Sequence, residues 1–405
     1  MRRTTLSLSR RASETPPSPI RKLAPLSREA QARGLEVLFL NIGQPDIETP
    51  QAFFDGLKQY NQKVVAYDFS EGNAHLREAW SKYMERTIQL SVAPENFLIT
   101  TGASEALVFA FMTCCDPGDE ILIFDPTYAN YMGFAAISGV ELVPVLTDLE
   151  HDFTLPDRAQ IYHRISHRTK AILISHPNNP TGTVYSREEL QLLLDIAEER
   201  NLFLIADETY RELIYDDREI VSVMHLSPNN DRIIVVDSLS KRFSLCGARI
   251  GALITTNQDY RLKALNIAQA RLASPTIEQF AAAYMLDHIT DDYLKEVTLE
   301  YQSRRDVLFE SIQKVPGLKA SLPGGAFYVI AELPIDDSEK FAAYMLKEFS
   351  LHGRTLFMAP AGGFYINQSK GKQSVRLAYV LEKEKLRLTG ELLTAGLEQF
   401  TKHAS

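Results

Sequence analysis

Residues 233–254 read IIVVDSLSKRFSLCGARIGALI, two apolar runs on either side of a polar loop. The runs at 233–236 and 250–254 carry no charge and have the length of buried strands. Strands without polar alternation are typical of a sheet that is covered on both faces. Ser238 and Lys241 follow the first run closely. The stretch therefore predicts polar side chains at the end of a buried strand.

The same alternation of apolar runs and helical patterns extends over residues 97–255. Two helices are predicted over 104–115 and 187–199, the second opened by a capping box of Ser186 and Glu189. This order of elements indicates an α/β domain with a mostly parallel sheet of seven strands. Besides the two runs above, the predicted strands are 97–100, 121–124, 141–145, 171–174 and 202–205.

After Tyr260 the pattern changes to longer helices, including one over 291–311, and then to short mixed segments at 323–332 and 374–379. Such a region predicts a smaller α+β domain, formed together with the N-terminal arm so that the two ends of the chain meet. The expected division is an arm with part of the small domain at 1–55, a large domain at 56–290 and the rest of the small domain at 291–405.

The chain has 405 residues, of which 45% are hydrophobic and 23% charged, as in a globular protein with a large core. The net charge of −9 is spread along the sequence, which favours small-molecule partners over nucleic acid. Cys114, Cys115 and Cys246 have neither disulfide nor metal-ligand spacing, so we expect no metal and a cytoplasmic location. No apolar stretch reaches about 18 residues, and no membrane span is predicted.

The first residues are basic: Arg2, Arg3, Arg10 and Arg11 precede the first acidic residue, Glu14. No apolar segment of a signal peptide follows, and three prolines at 16–19 break any amphipathic helix. We interpret this start as an extended arm, with a targeting peptide as the lesser alternative.

In sheets of this type, ligands bind beyond the carboxyl ends of the strands. Residues 100–106 (TTGASEA) lead from a strand through Gly102 to a helix whose free N–H groups could hold a phosphate, although the same residues could be an ordinary capped helix start. Asp207 follows the apolar run 202–206 at a strand end and would need a cationic or hydrogen-bonding partner there. It could instead cap a helix or form a structural ion pair.

Lys241 could form a Schiff base at its strand end, although most lysines are solvated surface groups. Residues 176–182 (HPNNPTG) form a fourth loop of this kind, whose prolines and glycine would fix the direction of the Asn179 amide. A structural turn explains proline and glycine. It does not explain why four polar loops coincide at one sheet edge, and this coincidence favours a binding site.

Taken in this order, the motifs resemble the class I/II aminotransferases of pyridoxal 5′-phosphate (PLP) fold type I. The resemblance covers about 18–379 and is specific as a set. It is carried by 41–46 (NIGQPD), Tyr67 with 76–79 (LREA), 101–106, 179–182 (NPTG), 207–210 (DETY), 238–241 (SLSK) with Arg249, 323–328 (PGGAFY) and 374–376 (SVR).

The resemblance implies transfer of an α-amino group from an amino acid to a 2-oxo acid in amino acid metabolism or biosynthesis. Lys241 would hold PLP and move a proton, and Asp207 would keep the pyridine nitrogen protonated. Asn179 and Tyr210 would bind the phenolic oxygen, and Tyr128 would stack on the ring. The implied phosphate contacts are the backbone of Ala103 and Ser104, the hydroxyls of Ser238 and Ser240, Arg249, and Tyr67 from the second subunit of a homodimer.

By the same resemblance, Arg376 would bind the substrate α-carboxylate together with Asn179 and the backbone near Gly43. Arg271 lies where some members place an arginine for a distal carboxylate, but a helix-end arginine is usually structural. Cys246 is expected to be a packed side chain, and His75 a helix-start residue that could also face the site.

Parts of the sequence suggest three alternative functions. Residues 241–251 and 18–23 also resemble PLP enzymes that eliminate a β-substituent or cyclise an arginine derivative. Ser238 and Lys241 match the S-x-x-K element of penicillin-recognising enzymes, but the sequence contains neither S-D-N nor K-T-G. A catalytically silent regulator would need a DNA-reading domain, for which about forty residues before Gly43 leave little room.

Overall fold

The computed structural model describes residues 6–404. The extended arm predicted for the start of the chain is wrong in part, because Arg10–Glu14 forms a short helix whose first turn is capped by the Ser9 hydroxyl. Arg2 and Arg3 lie outside the described residues. The N-terminal elements are helix α1 (Arg10–Glu14), helix α2 (Ala24–Ala32), strand β1 (Glu36–Phe39), helix α3 (Gln51–Gln59) and helix α4 (Ala74–Ile88).

A seven-stranded sheet follows, which confirms the predicted α/β fold. Its strands are β2 (Phe97–Thr101), β3 (Glu120–Asp125), β4 (Glu141–Leu146), β5 (Thr169–Ser175), β6 (Phe203–Asp207), β7 (Ile233–Ser238) and β8 (Ile250–Ile254). They lie in the order β2-β8-β7-β6-β5-β3-β4. Only β8 runs antiparallel to its neighbours β2 and β7, and the other pairs are parallel.

Helices cover both faces of this sheet. They are α5 (Gly102–Cys114), α6 (Asn130–Ser138), α7 (Arg158–His163), α8 (Arg187–Arg200), α9 (Gln258–Gln269) and α10 (Thr276–His288). Strand β7 shows why its sequence has no polar alternation: Ile233 and Val235 enter one apolar core, whereas Ile234 and Val236 enter the core on the opposite face. The capping box of Ser186 and Glu189 opens α8 as predicted.

The remaining elements are α11 (Asp291–Ile312), β9 (Lys319–Ala320), β10 (Tyr328–Glu332), α12 (Ser338–Lys347), β11 (Arg354–Phe357), β12 (Ala359–Pro360), β13 (Ser374–Ala378), α13 (Lys383–Arg387) and α14 (Thr389–Ala404). Strands β12, β13, β10 and β9 form an antiparallel sheet in that order. Strand β1 pairs in parallel with β11, so the two ends of the chain do meet. The boundaries 1–55, 56–290 and 291–405 stay a prediction. Within residues 6–404, no helix is long and apolar enough to cross a membrane.

Candidate active site

A cavity of about 640 Å³ lies where the carboxyl ends of β5, β6 and β7 face strand β13 of the smaller sheet. Twelve of the residues that the sequence predicted for the site line it together. They are Gly43, Ala103, Ser104, Tyr128, Asn179, Asp207, Tyr210, Ser238, Ser240, Lys241, Arg249 and Arg376. Tyr67 is the exception: its side chain is 82% exposed and belongs to a different surface depression.

Asp207 is the last residue of β6 and is buried. Its carboxylate accepts hydrogen bonds from Tyr131 Oη at 2.8 Å and from Thr209 Oγ1 at 2.6 Å. Burial raises the pKa of Asp207, and the Thr209 and Tyr131 hydrogen bonds partly oppose that rise. No lysine or arginine of the described residues pairs with this carboxylate. A cationic ring nitrogen would supply the missing ion-pair partner of this carboxylate. Asp207 is therefore suited to pair with a protonated pyridine.

The start of helix α5 and strand β8 approach each other closely at the proposed phosphate position. A β-carbon on Gly251 would lie 2.5 Å from the Gly102 carbonyl carbon and 2.6 Å from Ala103 N, so only glycine fits there. Gly102 also has a positive φ of 74°. Free N–H groups of the helix, hydroxyls and a guanidinium therefore converge in one place, and this donor set suits a phosphate.

The side chains around this position are held by their own contacts. Ser238 Oγ lies within hydrogen-bond distance of Ser240 Oγ, at 2.8 Å, and of the carbonyl oxygen of Ile250, at 3.1 Å. Arg249 donates to the carbonyls of Cys246 at 3.1 Å and Thr101 at 3.3 Å and forms no ion pair with a described residue. Its charge thus remains available for an anion.

Lys241 reaches across the cavity to the N-terminal part of the chain. Its Nζ donates to the carbonyl of Gly43 at 2.8 Å and lies 3.7 Å from Cys246 Sγ. Gly43 leaves no room for a side chain, because a β-carbon would lie 1.7 Å from Tyr328 Oη. The ammonium therefore lies beside a glycine backbone, with no carboxylate bound to it in the described part of the chain.

Arg376 lies in the middle of β13 and is 1% exposed. It donates to Asn179 Oδ1 at 3.0 Å and to the carbonyl of Asn41 at 2.7 Å. Its guanidinium also lies 4.2 Å from the Tyr328 ring centroid and 4.7 Å from that of Phe364, and its Nε has no hydrogen-bond partner. Burial lowers the pKa of Arg376. A buried cation with only neutral neighbours is suited to bind a carboxylate.

Two tyrosine hydroxyls meet beside this arginine: Tyr210 Oη and Tyr328 Oη are 2.8 Å apart. The third tyrosine, Tyr128, accepts a hydrogen bond from Asn130 Nδ2 at 2.8 Å, and burial raises its pKa to about 12. Burial also raises the pKa of Tyr210. The hydroxyls of Tyr128 and Tyr210 therefore keep their protons at neutral pH and can act as hydrogen-bond donors.

Sequence reasoning missed several residues of the cavity. Tyr328 stands in the quoted 323–328 motif, where its position three residues after a glycine pair was the available signal. Tyr131 and Thr209 support Asp207. Thr209 stands in the quoted 207–210 motif, whereas no motif marks Tyr131. Ser18, Ile20 and Arg21 come from the N-terminal segment and also line the cavity.

Of the three remaining candidates, Cys246 lines the cavity, whereas Arg271 and His75 do not. Arg271 pairs with Glu105 at 3.2 Å, donates to the carbonyl of Ile99 at 2.8 Å and does not line the cavity. His75 lies in the first turn of α4 and pairs with Asp287 at 2.6 Å, also away from the cavity. Cys246 lines the cavity beside Lys241.

The cavity brings together Lys241, the buried carboxylate of Asp207 and hydrogen-bond donors suited to a phosphate at one end of a mostly parallel sheet. This arrangement is the one expected of an enzyme of fold type I. The family model of aminotransferase class I and II matches residues 36–387. An aspartate aminotransferase of Thermotoga maritima is 33% identical over 84% of this chain and 89% of the relative. An aspartate/prephenate aminotransferase of Thermus thermophilus is 31% identical over 94% of this chain and 96% of the relative.

Solved structures agree. The aspartate aminotransferase from Thermus thermophilus with maleate has a TM-score of 0.87 at 29% identity and covers 97% of this chain and 100% of that chain. An alanine aminotransferase from Pyrococcus furiosus has the same TM-score of 0.87 at 30% identity, covering 98% and 100%. The chain belongs to the class I and II aminotransferases, a PLP-dependent family, and is an aminotransferase that acts on amino acids and 2-oxo acids.

Proposed function

We propose that the cavity binds PLP and catalyses α-amino transfer between an acidic amino acid and a 2-oxo acid. The observation that carries this proposal is the convergence of Lys241, Asp207 and Arg376 in one cavity. When bound, the cofactor supplies an electron sink for the charge that develops at the substrate Cα. The acidic side chain is favoured by relatives described as aspartate and aspartate/prephenate aminotransferases.

Each residue then has a defined task. Lys241 holds the cofactor and moves a proton to and from the substrate Cα, while Asp207 keeps the ring nitrogen protonated. Arg376 binds the α-carboxylate through its planar fork, and its contact with Asn179 sets the direction of that fork. The remaining proposed contacts to the cofactor are Ala103, Ser104, Tyr128, Asn179, Tyr210, Ser238, Ser240 and Arg249, with the Gly43 backbone beside the substrate.

A spectral titration tests the reaction type. Acidic amino acids should convert the cofactor and shift its absorbance, and a 2-oxo acid should restore the starting spectrum, with ping-pong kinetics. Elimination or cyclisation would instead yield ammonia or a cyclised product without this cycle. The named relatives favour transfer, since they are described as aminotransferases. Ammonia release with every accepted amino acid would contradict the proposal.

Lys241→Ala tests the central residue. We expect this variant to lose turnover and still bind PLP, because the phosphate and ring contacts remain. Borohydride reduction of the native enzyme, followed by peptide mapping, should place the cofactor label on Lys241. A label on another lysine would contradict the assignment.

A homodimer is the second part of the proposal. Exposed apolar side chains cluster in one segment, with Val64 72%, Val65 60%, Tyr67 82% and Phe69 69% exposed. Such a cluster favours burial against a second copy, which would bring Tyr67 to the neighbouring phosphate. Sedimentation of the holoenzyme should give a dimer or a multiple of it, and Tyr67→Phe should weaken PLP binding. An active, strictly monomeric enzyme would contradict this model.

We also propose a cytoplasmic location. Cys114, Cys115 and Cys246 are all unpaired, with the sulfurs of Cys114 and Cys115 3.5 Å apart, and a reducing compartment preserves such thiols. Cell fractionation with an antibody against the protein checks this proposal.

A further inference from the structure

Arg21 is a fourth cationic residue that lines the cavity, besides Lys241, Arg249 and Arg376. It has no role in the reaction proposed above. Arg21 lies in the turn between α1 and α2, and its side chain is exposed. No residue among those described forms an ion pair or a side-chain hydrogen bond with its guanidinium. The side chain is therefore a positive group that borders the site and has no anionic partner.

The turn that contains Arg21 is connected to Arg376 by hydrogen bonds through a shared residue. Arg21 N donates to the carbonyl of Ser18 at 3.2 Å, which closes the turn. Asn41 Nδ2 donates to the carbonyl of Ile20 at 3.0 Å, and the carbonyl of the same Asn41 accepts from Arg376 at 2.7 Å. One buried residue, Asn41, thus connects the backbone of the Arg21 turn with the side chain of Arg376.

The lining of the cavity carries more cationic than anionic side chains. Its lining contains the cations Arg21, Lys241, Arg249 and Arg376 but a single carboxylate, Asp207. In the proposed reaction Lys241 holds the cofactor, Arg249 contacts the phosphate and Arg376 binds the α-carboxylate. Only Arg21 lacks a counterpart, and a guanidinium pairs best with a carboxylate in a bidentate geometry.

Neighbouring cations do not offer the same possibility. Lys22, the next residue along, pairs with Glu339 at 2.5 Å and borders a separate cavity. The sequence suggested Arg271 as the residue that binds a distal carboxylate, but Arg271 forms an ion pair with Glu105. Arg21 therefore differs from both, because it lines the cavity and forms no ion pair with a described residue.

We infer that Arg21 is a specificity-determining residue that binds the side-chain carboxylate of an acidic amino acid substrate. This inference rests on the proposed function and extends it by naming the residue that selects the side chain. Arg376 and Arg21 would hold the two carboxylates of one substrate, and the Asn41 bridge would set the distance between them.

The test compares Arg21→Met with Lys22→Met, which removes the adjacent charge outside the cavity. Arg21→Met should lower kcat/KM for aspartate and glutamate by about 10- to 100-fold, the range of a charge-assisted hydrogen bond. Values for alanine and leucine should change by less than about twofold, because these substrates place no charge near Arg21. Arg21→Lys should recover part of the loss, and Lys22→Met should match the native enzyme for all four amino acids.

Calorimetry on the holoenzyme gives a second readout that does not depend on turnover. Maleate, with two carboxylates, should bind Arg21→Met about 10- to 100-fold more weakly, whereas butyrate, with one carboxylate, should bind both proteins equally. An equal loss for acidic and apolar substrates, or the same loss in Lys22→Met, would overturn the role of Arg21.

The two levels of the proposal can fail separately. A native enzyme that takes aspartate, combined with unchanged selectivity in Arg21→Met, would overturn Arg21 alone. An enzyme that transfers amino groups only from apolar amino acids would overturn the acidic substrate, and Arg21 with it, but not the transfer reaction. Absence of any transfer would overturn the proposed function itself.

Discussion

The buried arginines near the active site are of two kinds, which are stabilised in opposite ways. The first, here called the paired cluster, consists of Arg211 and Arg242 with Glu208, Glu212 and Asp237. Arg211 lies 2.8 Å from Asp237, and Arg242 lies 2.7 Å from Glu212 and 2.9 Å from Asp237. All five side chains are buried, and each cation has at least two carboxylate partners.

The second is Arg376, equally buried but surrounded by an amide, a carbonyl and two aromatic rings. Burial lowers the pKa of all three arginines, but in Arg211 and Arg242 the carboxylates outweigh burial and the net pKa is raised. Charge pairs inside a fold serve structure, whereas a buried cation without an anion is ready for a ligand. The paired cluster flanks Lys241 in sequence through Asp237 and Arg242, so it also anchors the loop that carries the lysine.

Arg242→Met should give the largest effect on stability. The substitution leaves Glu212 and Asp237 buried with one cation fewer, which typically costs about 3–5 kcal/mol. Urea denaturation of the holoenzyme should show this loss in the free energy of unfolding. A variant as stable as the native protein would remove the distinction between the two arginine sites.

Arg376→Met is the matched substitution at the unpaired site. Loss of one partner of a buried charge-assisted pair costs about 2–5 kcal/mol, so kcat/KM should fall by two to three powers of ten or more. The free energy of unfolding should fall less than in Arg242→Met, because no buried carboxylate loses its partner. If PLP affinity fell as much as substrate affinity, the role given to Arg376 would be wrong.

Asp125 is a buried carboxyl group without a cationic partner and can be compared with Arg376. Unlike an arginine, a carboxyl group can become neutral in the accessible pH range. It is 2% exposed, accepts from Ile366 N at 2.9 Å, and its Oδ1 has no hydrogen-bond partner. Burial raises the pKa of Asp125 to about 7, against the opposing effect of the Ile366 hydrogen bond. The folded form therefore keeps a proton between about pH 4 and pH 7 that the unfolded form has released.

In that window the contribution of Asp125 to stability falls as pH rises, by at most about 1.4 kcal/mol per pH unit. Asp125→Asn lacks this dependence. Its free energy of unfolding, relative to the native protein, should rise between pH 5 and pH 7 and level off above the folded pKa. Urea denaturation at four pH values between 5 and 8 measures the difference, and a constant difference would contradict the prediction.

Local sequence predicted the seven strands well but not their ends. Strands β6 and β7 extend to Asp207 and Ser238, each two residues past the predicted strand end, because backbone pairing in a ladder does not depend on side-chain polarity. The predicted extended arm failed at Arg10–Glu14 because the prolines act only from Pro16 onward, while Ser9 supplies a helix cap.

The sequence alone was sufficient for the succession of apolar runs along the chain, the polar residues at their ends and the family motifs, since these depend on neighbours in the chain. It did not give the order of the strands in the sheet. Only the tertiary structure decided which arginines are paired and which are free. Arg376 meets Asn179 across 197 residues of sequence and Asn41 across 335, and no local pattern encodes contacts of that range. The same reason hides Arg21, whose place at the cavity depends on Asn41 and on the pairing of β1 with β11.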